Sequence, residues 1–518
     1  MDANSPTYDV LIVGGGINGA GIARDLAGRG LSVLLCERDD LAAHTSSSST
    51  KLIHGGLRYL EYYEFSLVRK ALQEREVLLR SAPHIMWPLR FVMPHDAAMR
   101  PVWMIRAGLF LYDHLAKREI LAGSEVVSLR EHAAGAPLKA QFHKGFVYSD
   151  GWVDDARLVV LNALAAQESG ATIMTRTSCI AAEMQNNQWR ATLQLASGES
   201  KIIQARALVN AAGPWAGKFL QQNLNRTDAH TLRLVKGSHI VVRKLFEHEY
   251  AYIFQNADKR IIFAIPYEND FTLIGTTDVE ITGEPDAAKI DADEIRYLCA
   301  QASRYFAKPV NETDVVWSYT GVRPLLDDAS GDPSAVTRDY QLEMSEQPAP
   351  LLTVWGGKIT TFRKLAQEAG DMLCGAMQIN RPSVTAGHFL PGGDFKDYIN
   401  VSGQPVADFN GFTTELARRY PWLPEALRHR YARAYGSRIN YIIDKATSLD
   451  QLGEEIAPQF YAAEARYLQQ HEWAHSAQDM LWRRSKLGLH LSEDAHEKVR
   501  SWCASKAIAA PEKYQFKQ

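Results

Sequence analysis

Three glycines spaced Gly14-x-Gly16-x-x-Gly19 follow the apolar run Tyr8-Asp9-Val10-Leu11-Ile12-Val13 and open a helix-prone stretch from Ala20 to Gly30. A turn this tight excludes side chains, so its backbone can approach a pyrophosphate, and the first amides of the next helix point at that charge. A second apolar run, Leu31 to Cys36, ends in Glu37. That acid lies about 20 residues past the turn, where a carboxylate accepts from ribose hydroxyls. Strand, glycines, helix, strand and acid in this order predict a dinucleotide site touched by Gly14, Gly16, Ile17, Asn18, Gly19 and Glu37. Glu37 argues against a 2′-phosphorylated nucleotide, because two negative groups would meet there.

Two further segments carry the same kind of chemistry. Thr45-Ser46-Ser47-Ser48-Ser49-Thr50-Lys51 reads either as a short flexible linker or as a row of donors to phosphate and ribose, with Ser46, Ser48, Ser49 and Lys51 as contacts. Small residues ending the strand-like run Ala207 to Ala212, then Gly213, suggest another close backbone approach. Leu351 to Trp355, the turn Gly356-Gly357-Lys358 and a helix from about Thr360 repeat the strand, glycine turn and helix theme, which adds Gly357, Lys358 and Thr360.

The elements that must position these residues follow from length and pattern. A chain of 518 residues exceeds the size at which one core keeps growing, so two or three domains are expected. Helices are predicted from about Glu61 to Arg80 and from the segment Asp154 to Arg157 up to about Ser169, and residues 231–279 alternate as strands. The chain beyond Pro391 is aromatic, charged and helix-forming. The fold class is α/β: a Rossmann-type dinucleotide domain from residues 1–80, 150–220 and 350–388, an inserted β-rich substrate or cap domain from 81–149 and 221–349, and a helical domain from 389–518. No internal repeat is seen.

Composition narrows the function. A hydrophobic content of 46% is that of a soluble globular protein, and a net charge of −3 gives no general attraction to nucleic acid. Cys36, Cys179, Cys299, Cys374 and Cys503 form no C-x-x-C pair, so they read as buried thiols in a reducing compartment, and no metal site is expected. The N-terminal residues lack a basic segment before an apolar one, and no window of about 18 residues stays apolar and uncharged. A cytoplasmic protein is expected, with room for a membrane-surface contact. Residues 85–118 interleave Trp87, Phe91, Trp103, Phe110 and Tyr112 with Arg90, Arg100, Arg106, Lys117 and Arg118, for a local net charge of +3. That mixture suits either a lipid surface or a core whose arginines pair internally. Arg428 to Tyr435 is a second candidate for the same face.

The segments Gly14 to Gly21, Lys51 to Leu60, Gly275-Thr276-Thr277-Asp278, Gly321-Val322-Arg323-Pro324-Leu325 and Trp355 to Thr361 together resemble the aerobic, FAD-dependent glycerol-3-phosphate dehydrogenases, nearest to their bacterial respiratory members. The resemblance implies FAD as cofactor and the glutathione-reductase-like fold of D-amino-acid and glycine oxidases. It further implies sn-glycerol 3-phosphate as substrate, ubiquinone or another membrane quinone as acceptor, and a homodimer. An enzyme without a transmembrane helix must then lie on the inner face of the cytoplasmic membrane, against anionic lipid, to meet its quinone. The chain shows no D-x-[DN]-x-[DN]-G loop, so the calcium-binding extension of the mitochondrial relatives is not expected.

Oxidising a secondary alcohol needs a hydride acceptor, a base for the hydroxyl proton and cations for a phosphate dianion. The resemblance places the His54 loop beside the flavin, which makes His54 the first candidate base and His239 its competitor. Arg58, four residues on, would share a face with His54 if the turn is helical. Arg323 lies in an apolar, restricted setting where an idle guanidinium is expensive to bury, so it reads as a forked phosphate contact in preference to an internal salt bridge. Lys358 is placed near flavin and substrate by the resemblance, and Tyr59 and Arg338 complete the candidate anion pocket. Two readings with the same fold compete: a glycerol-3-phosphate oxidase using oxygen, and a glycine- or D-amino-acid-type oxidase, which needs one cation for a carboxylate. A non-catalytic FAD-binding regulator is the reading from another class.

Overall fold

The computed structural model describes residues 6–506 apart from 97–98, 227–229, 231, 257, 259, 327–338 and 347. The predicted nucleotide-binding strands are there. Thr7–Val13 pairs in parallel with Val33–Cys36 on one side and Ser200–Asn210 on the other, and Leu351–Trp355 extends the sheet beyond Ser200–Asn210. Strands buried on both faces read as continuous apolar runs, and Val10, Leu11 and Ile12 are fully buried. Thr172–Met174 closes one edge, Gln341–Ser345 the other, and the hairpin Thr177–Gln185 with Gln188–Leu195 lies alongside Ser200–Asn210.

The first helix, α1 (Ile17–Gly28), packs between two others, which explains a glycine inside it. A Cβ on Gly21 would sit 2.8 Å from the ring of Phe362, at the start of the helix Phe362–Ala376. The chain then passes through the short strand Leu52–Ile53, α2 (Phe65–Ser81) and α3 (Val102–His114) before returning to the first layer at α4 (Asp155–Glu168). Asp154 caps α4 by accepting from the amide of Arg157.

The second sheet has ten strands, mostly antiparallel. Leu232–Arg243 at its centre pairs with Val315–Leu326, Phe271–Gly275 and Val279–Ile281, and Met86–Pro94 with Lys144–Val153 forms the far half. Two stretches lie across the expected borders. Leu52–Ile53 pairs with Lys144–Val153 in the second sheet, because the chain crosses over before α2, and Gln341–Ser345 pairs with Leu351–Trp355 in the first, as a hairpin partner that pattern alone assigns to the cap.

Beyond residue 391 the chain builds its own core of Phe395, Phe409, Phe412, Leu416, Tyr431 and Tyr467 under helices that include Pro405–Arg419, Glu425–Tyr435 and Ala462–His471. The Arg428 to Tyr435 stretch belongs to that core and is no lipid-facing surface. Tyr431 and Tyr435 are fully buried, Arg430 pairs with Glu464, and the Arg433 guanidinium lies over the rings of Trp87 and Phe409. All five cysteines are free and buried.

Ion pairs, one fully buried and two with one partner partly exposed, hold the helical domain to the first layer. Arg157 grips Glu472, Arg176 pairs with Asp479, and Arg438 reaches Glu168. Burial alone would raise the Asp479 carboxyl, but Arg484, Arg176 and Arg483 around it hold it down to about 2. A carboxyl depressed on folding contributes stability that is complete above its unfolded value near 4 and lost as pH falls through the folded one. Asp479→Asn should therefore lower stability by about 2 kcal/mol at pH 7 in denaturant unfolding. The gap to the parent should close between roughly pH 4 and pH 2. An equal gap at pH 7 and pH 2.5 would show that the carboxylate charge is not what the arginines hold.

Candidate functional site

The glycine turn lies at the mouth of a groove of about 350 Å³ lined by Gly14, Gly16, Ile17 and Asn18 on one side, Cys36, Glu37 and Arg38 on the next, and Ala211 to Trp215 opposite. Each glycine has a distinct reason. Gly14 has φ +113, and a Cβ there would meet the Ala211 carbonyl oxygen at 2.5 Å. A Cβ on Gly19 would fall 1.9 Å from the Gly14 carbonyl oxygen, so Gly19 serves the tightness of the turn from behind the groove. Gly357, with φ +102, approaches the Asn18 amide at the far end, and Asn18 Nδ2 donates to the Gly356 carbonyl at 3.2 Å.

Glu37 sits where the ribose acid is expected. Its carboxylate accepts from the amides of Gly15 at 2.6 Å and Asp39 at 2.9 Å. Burial pushes its carboxyl upward against those bonds. The Ser46 hydroxyl accepts from the Ile17 amide at 3.0 Å and lines the groove. Two buried polar atoms of the lining, Asn18 Oδ1 and Trp215 Nε1, lack a hydrogen-bond partner. With the helix N-terminus and the side-chain-free turn, they fit a dinucleotide running from Glu37 to Gly357.

Three expected donors face elsewhere. The Lys51 ammonium is buried and bonds Asp155 at 2.8 Å and the Ser47 carbonyl at 3.0 Å; the Ser49 hydroxyl donates to the other oxygen of Asp155 at 2.7 Å. Ser48 packs against Gly321. These residues shape the loop because α4 brings Asp155 beneath it. Their side chains do not line the groove.

Sequence reading missed the opposite wall. The Arg38 guanidinium lies 4.2 Å over the Trp215 ring, His44 meets the same ring edge-on at 4.8 Å, and Thr177 to Ile180 line the groove near them. The lone signal was Trp215 directly after Gly213-Pro214; the residues from 177 to 180 are an ordinary strand in pattern.

The segments that carry His54, Tyr59 and Lys358 touch one another. Lys358 lies 4.0 Å over the Tyr59 ring, and the His54 amide donates to Thr360 Oγ1 at 3.4 Å. Thr45 Oγ1 donates to the Val322 carbonyl, which ties the hydroxyl-rich loop to the strand carrying Arg323. Arg58 does not share a helical face with His54. The 3₁₀ turn Leu57–Tyr62 begins after Gly56, whose φ of +75 breaks the run, and Arg58 Nη2 reaches the Tyr62 hydroxyl at 3.4 Å.

Arg323 shows the arrangement ranked second: it is ion-paired with Asp278 and donates to Thr276 Oγ1 at 3.1 Å and the Thr277 carbonyl at 3.3 Å. Two strands flanking Leu232–Arg243 bring the Thr276-Thr277-Asp278 bend against it. Both charged groups remain about one-third exposed, at 34% and 33%. His239 is buried, bonds Thr50 Oγ1 at 3.0 Å and stacks on Tyr319 at 4.7 Å. Burial, followed by the nearby Arg323 and Lys51, holds its imidazole well below the usual range. Arg338 lies outside the described residues.

Residues 85–118 divide by face. Phe91 and Tyr112 are core, Arg90 pairs with Glu125, Arg118 with Asp113 and Lys117 with Glu119. On α3, Trp103 is 68% exposed and Phe110 65%, and Tyr63 on the adjoining 3₁₀ segment is 79% exposed.

Comparison with known proteins accounts for nearly the whole chain. Residues 9–363 match the model of the FAD dependent oxidoreductases, and residues 383–507 that of the C-terminal domain of alpha-glycerophosphate oxidase. A glycerol-3-phosphate dehydrogenase of Pseudomonas aeruginosa is 51% identical over 96% of this chain and 95% of its own. A D-erythritol 1-phosphate dehydrogenase of Brucella abortus is 49% identical over 96% and 98%. The FAD-complexed glycerol-3-phosphate dehydrogenase of Bacillus halodurans superposes with a TM-score of 0.77 at 25% identity, covering 98% of this chain and 92% of that one. The groove built for a dinucleotide and these matches agree, and the chain belongs to the FAD-dependent oxidoreductase family.

Proposed function

We propose that this protein oxidises sn-glycerol 3-phosphate to dihydroxyacetone phosphate and passes the electrons to a membrane quinone. The observation that supports the reading is a partly exposed Arg323 next to Pro324, and Lys358 next to Gly357, both neighbours lining the groove, in a chain about half identical to a glycerol-3-phosphate dehydrogenase. Bound FAD would supply the hydride acceptor. Arg323 presents its fork beside Asp278, and a phosphate dianion entering there competes with that carboxylate for the guanidinium. Lys358 is held over the Tyr59 ring with its charge available to the same anion. His54 takes the hydroxyl proton. The buried, neutral His239, held by Thr50, positions the wall behind it. The similar erythritol 1-phosphate enzyme supports a second reading, a longer polyol phosphate, which the same phosphate contacts would accept.

The holoenzyme under anaerobic conditions should lose its oxidised-flavin absorbance on mixing with glycerol 3-phosphate, and faster than with erythritol 1-phosphate. In that single-turnover assay His54→Asn should slow reduction by ~10²–10⁴ with little change in substrate binding. Colour that persists in the parent overturns the enzyme reading, and reduction of the variant at the parent rate transfers the base to another group.

Arg323→Ala removes charge-assisted hydrogen bonds worth roughly 1.5–3 kcal/mol each and leaves Asp278 facing the phosphate, so kcat/KM should fall at least about tenfold with FAD retained. Lys at 323 should restore part of it, because one ammonium cannot reproduce the fork. An unchanged kcat/KM in the alanine variant would remove Arg323 from the phosphate site.

Among the described residues no helix is long and apolar enough to cross a membrane. A quinone must then be met at the surface, and the face of α3 with Trp103, Met104, Phe110, Leu111 and the neighbouring Tyr62 and Tyr63 offers exposed apolar and aromatic side chains beside Arg100 and Arg106. The double change Trp103→Ser with Phe110→Ser should abolish binding to anionic vesicles. Arg100→Gln with Arg106→Gln should weaken it by ~1 kcal/mol per charge. Turnover with a soluble dye should stay intact in both. Vesicle binding that survives all four changes would place the contact elsewhere.

A further inference from the structure

The loop from Glu37 to Ser46 forms one wall of the cofactor groove, and its shape is costly. Ala42 adopts φ +59, a left-handed conformation that a residue with a Cβ keeps only where its surroundings enforce it. Within its own layer the loop is fastened at its ends, by Glu37 to Met174, Thr177 and Gly15 and by Ser46 to Ile17, while its middle has Arg176 N to the Asp39 carbonyl at 2.8 Å and Ala42 N to the Gly15 carbonyl at 3.3 Å.

The hold on the middle of the loop comes from outside that layer. Asp40, two residues before Ala42, turns its carboxylate away from the groove into the helical C-terminal domain. There the π-helical segment Asp479–Arg484 meets it with two consecutive arginines. Arg484 Nη1 and Nη2 donate to the two carboxylate oxygens at 2.9 and 2.8 Å, and Arg483 Nε donates to Oδ2 at 2.6 Å. Asp40 and Arg484 are almost completely buried, and Arg484 spends its remaining donors on the Glu472 carbonyl at 2.6 and 3.1 Å. On the inner side the same loop grips Trp215 through Arg38 and His44. A buried pair of this kind is a weak source of net stability compared with apolar packing, but its fork geometry fixes position.

We propose that the C-terminal domain is a latch on the cofactor site: Arg483 and Arg484 hold Asp40, and through it the loop carrying Glu37, Arg38, His44 and Ser46, in the shape that retains FAD. The inference rests on the family's cofactor and not on the identity of the substrate. Asp40 and Arg484 do not line the groove and are positioning residues; they act through Glu37 and Ser46. Two arginines 443 and 444 residues away in sequence then control how tightly FAD is held, while the chemistry sits at the other end of the groove.

The test titrates FAD into flavin-stripped full-length protein, following flavin fluorescence. Asp40→Asn and Arg484→Gln should each raise the dissociation constant for FAD at least tenfold. Arg483→Gln, which leaves the Arg484 fork in place, should raise it at least threefold. Glu168→Gln is the control, because it breaks the interdomain pair with Arg438 at the far end of α4 without touching the loop; its FAD affinity should stay within twofold of the parent. In the stripped protein, trypsin should cut after Arg38 faster in Asp40→Asn than in the parent. If Arg484→Gln fails to fold, Asp40→Asn and Arg483→Gln carry the test. FAD affinity within twofold of the parent in folded Asp40→Asn and Arg483→Gln overturns the latch. An equal loss in Glu168→Gln overturns it too, since docking of the domain as a whole would then be responsible. Either failure leaves the substrate reading untouched, because that one is decided by flavin reduction in the unaltered holoenzyme.

Discussion

The buried pair of Lys51 and Asp155 is the constraint on which the two layers depend. An ammonium shut away from water needs a carboxylate and further acceptors, and Lys51 finds them in Asp155 and the Ser47 carbonyl. Asp155 opens α4, which packs against α1 in the first layer, while Lys51 directly precedes Leu52–Ile53, which pairs into the second sheet. One ion pair therefore fixes where the chain leaves the nucleotide-binding layer and enters the substrate layer. The hydroxyl-rich loop between them is bent into a cage around that pair, with the Ser49 carbonyl accepting from Tyr319 and Thr45 tied to the Val322 carbonyl. The crevice between the layers follows from it.

Within that crevice the cations are graded by the partners they already have. Lys51 is committed and buried. Arg323 is held by a carboxylate that stays about one-third exposed, so a stronger anion can take over part of its fork. Lys358 is held by a ring face, an interaction that fixes position while leaving the charge uncompensated. In the proposed site a phosphate would meet one cation already paired with a carboxylate, Arg323, and one held by a ring, Lys358. This grading separates cations that build the protein from cations that serve a ligand.

Local chemistry made the nucleotide half legible in the sequence. A glycine turn between an apolar strand and a helix, with an acid after the next strand, admits few structures: Gly14 and Gly19 make the tight turn, and Glu37 lines the groove. Pairings between residues far apart in the chain were invisible. Lys51 and Ser49 read as phosphate donors because nothing in the sequence announces that Asp155, 104 residues on, lies beneath them. Arg323 read as a forked phosphate contact with no internal partner for the same reason, although Asp278 stood in a segment already noted. The arginines of 428–435 resembled a surface because composition does not reveal that Glu464 and the rings of Trp87 and Phe409 come to meet them. Where a charge is used depends on its partner, and partners are set by topology.

The 3₁₀ turn Leu57–Tyr62 joins the two ends of the proposed function. Tyr59 carries Lys358 on its ring at the substrate side, and Tyr62 on the same turn, with Tyr63 directly after it, stands exposed beside α3. Such turns have poorer hydrogen-bond geometry than an α-helix, and this one is bounded by left-handed residues at both ends, Gly56 at φ +75 and Tyr63 at φ +60. A tyrosine in that conformation is held by its surroundings, since a side chain makes it costly. The ring that carries Lys358 and the exposed Tyr62 therefore share a segment of six residues with conformational breaks on either side. A surface that fixes Tyr62 and Tyr63 would also fix that ring, so the proposed membrane contact and the proposed phosphate site are coupled through the same short element.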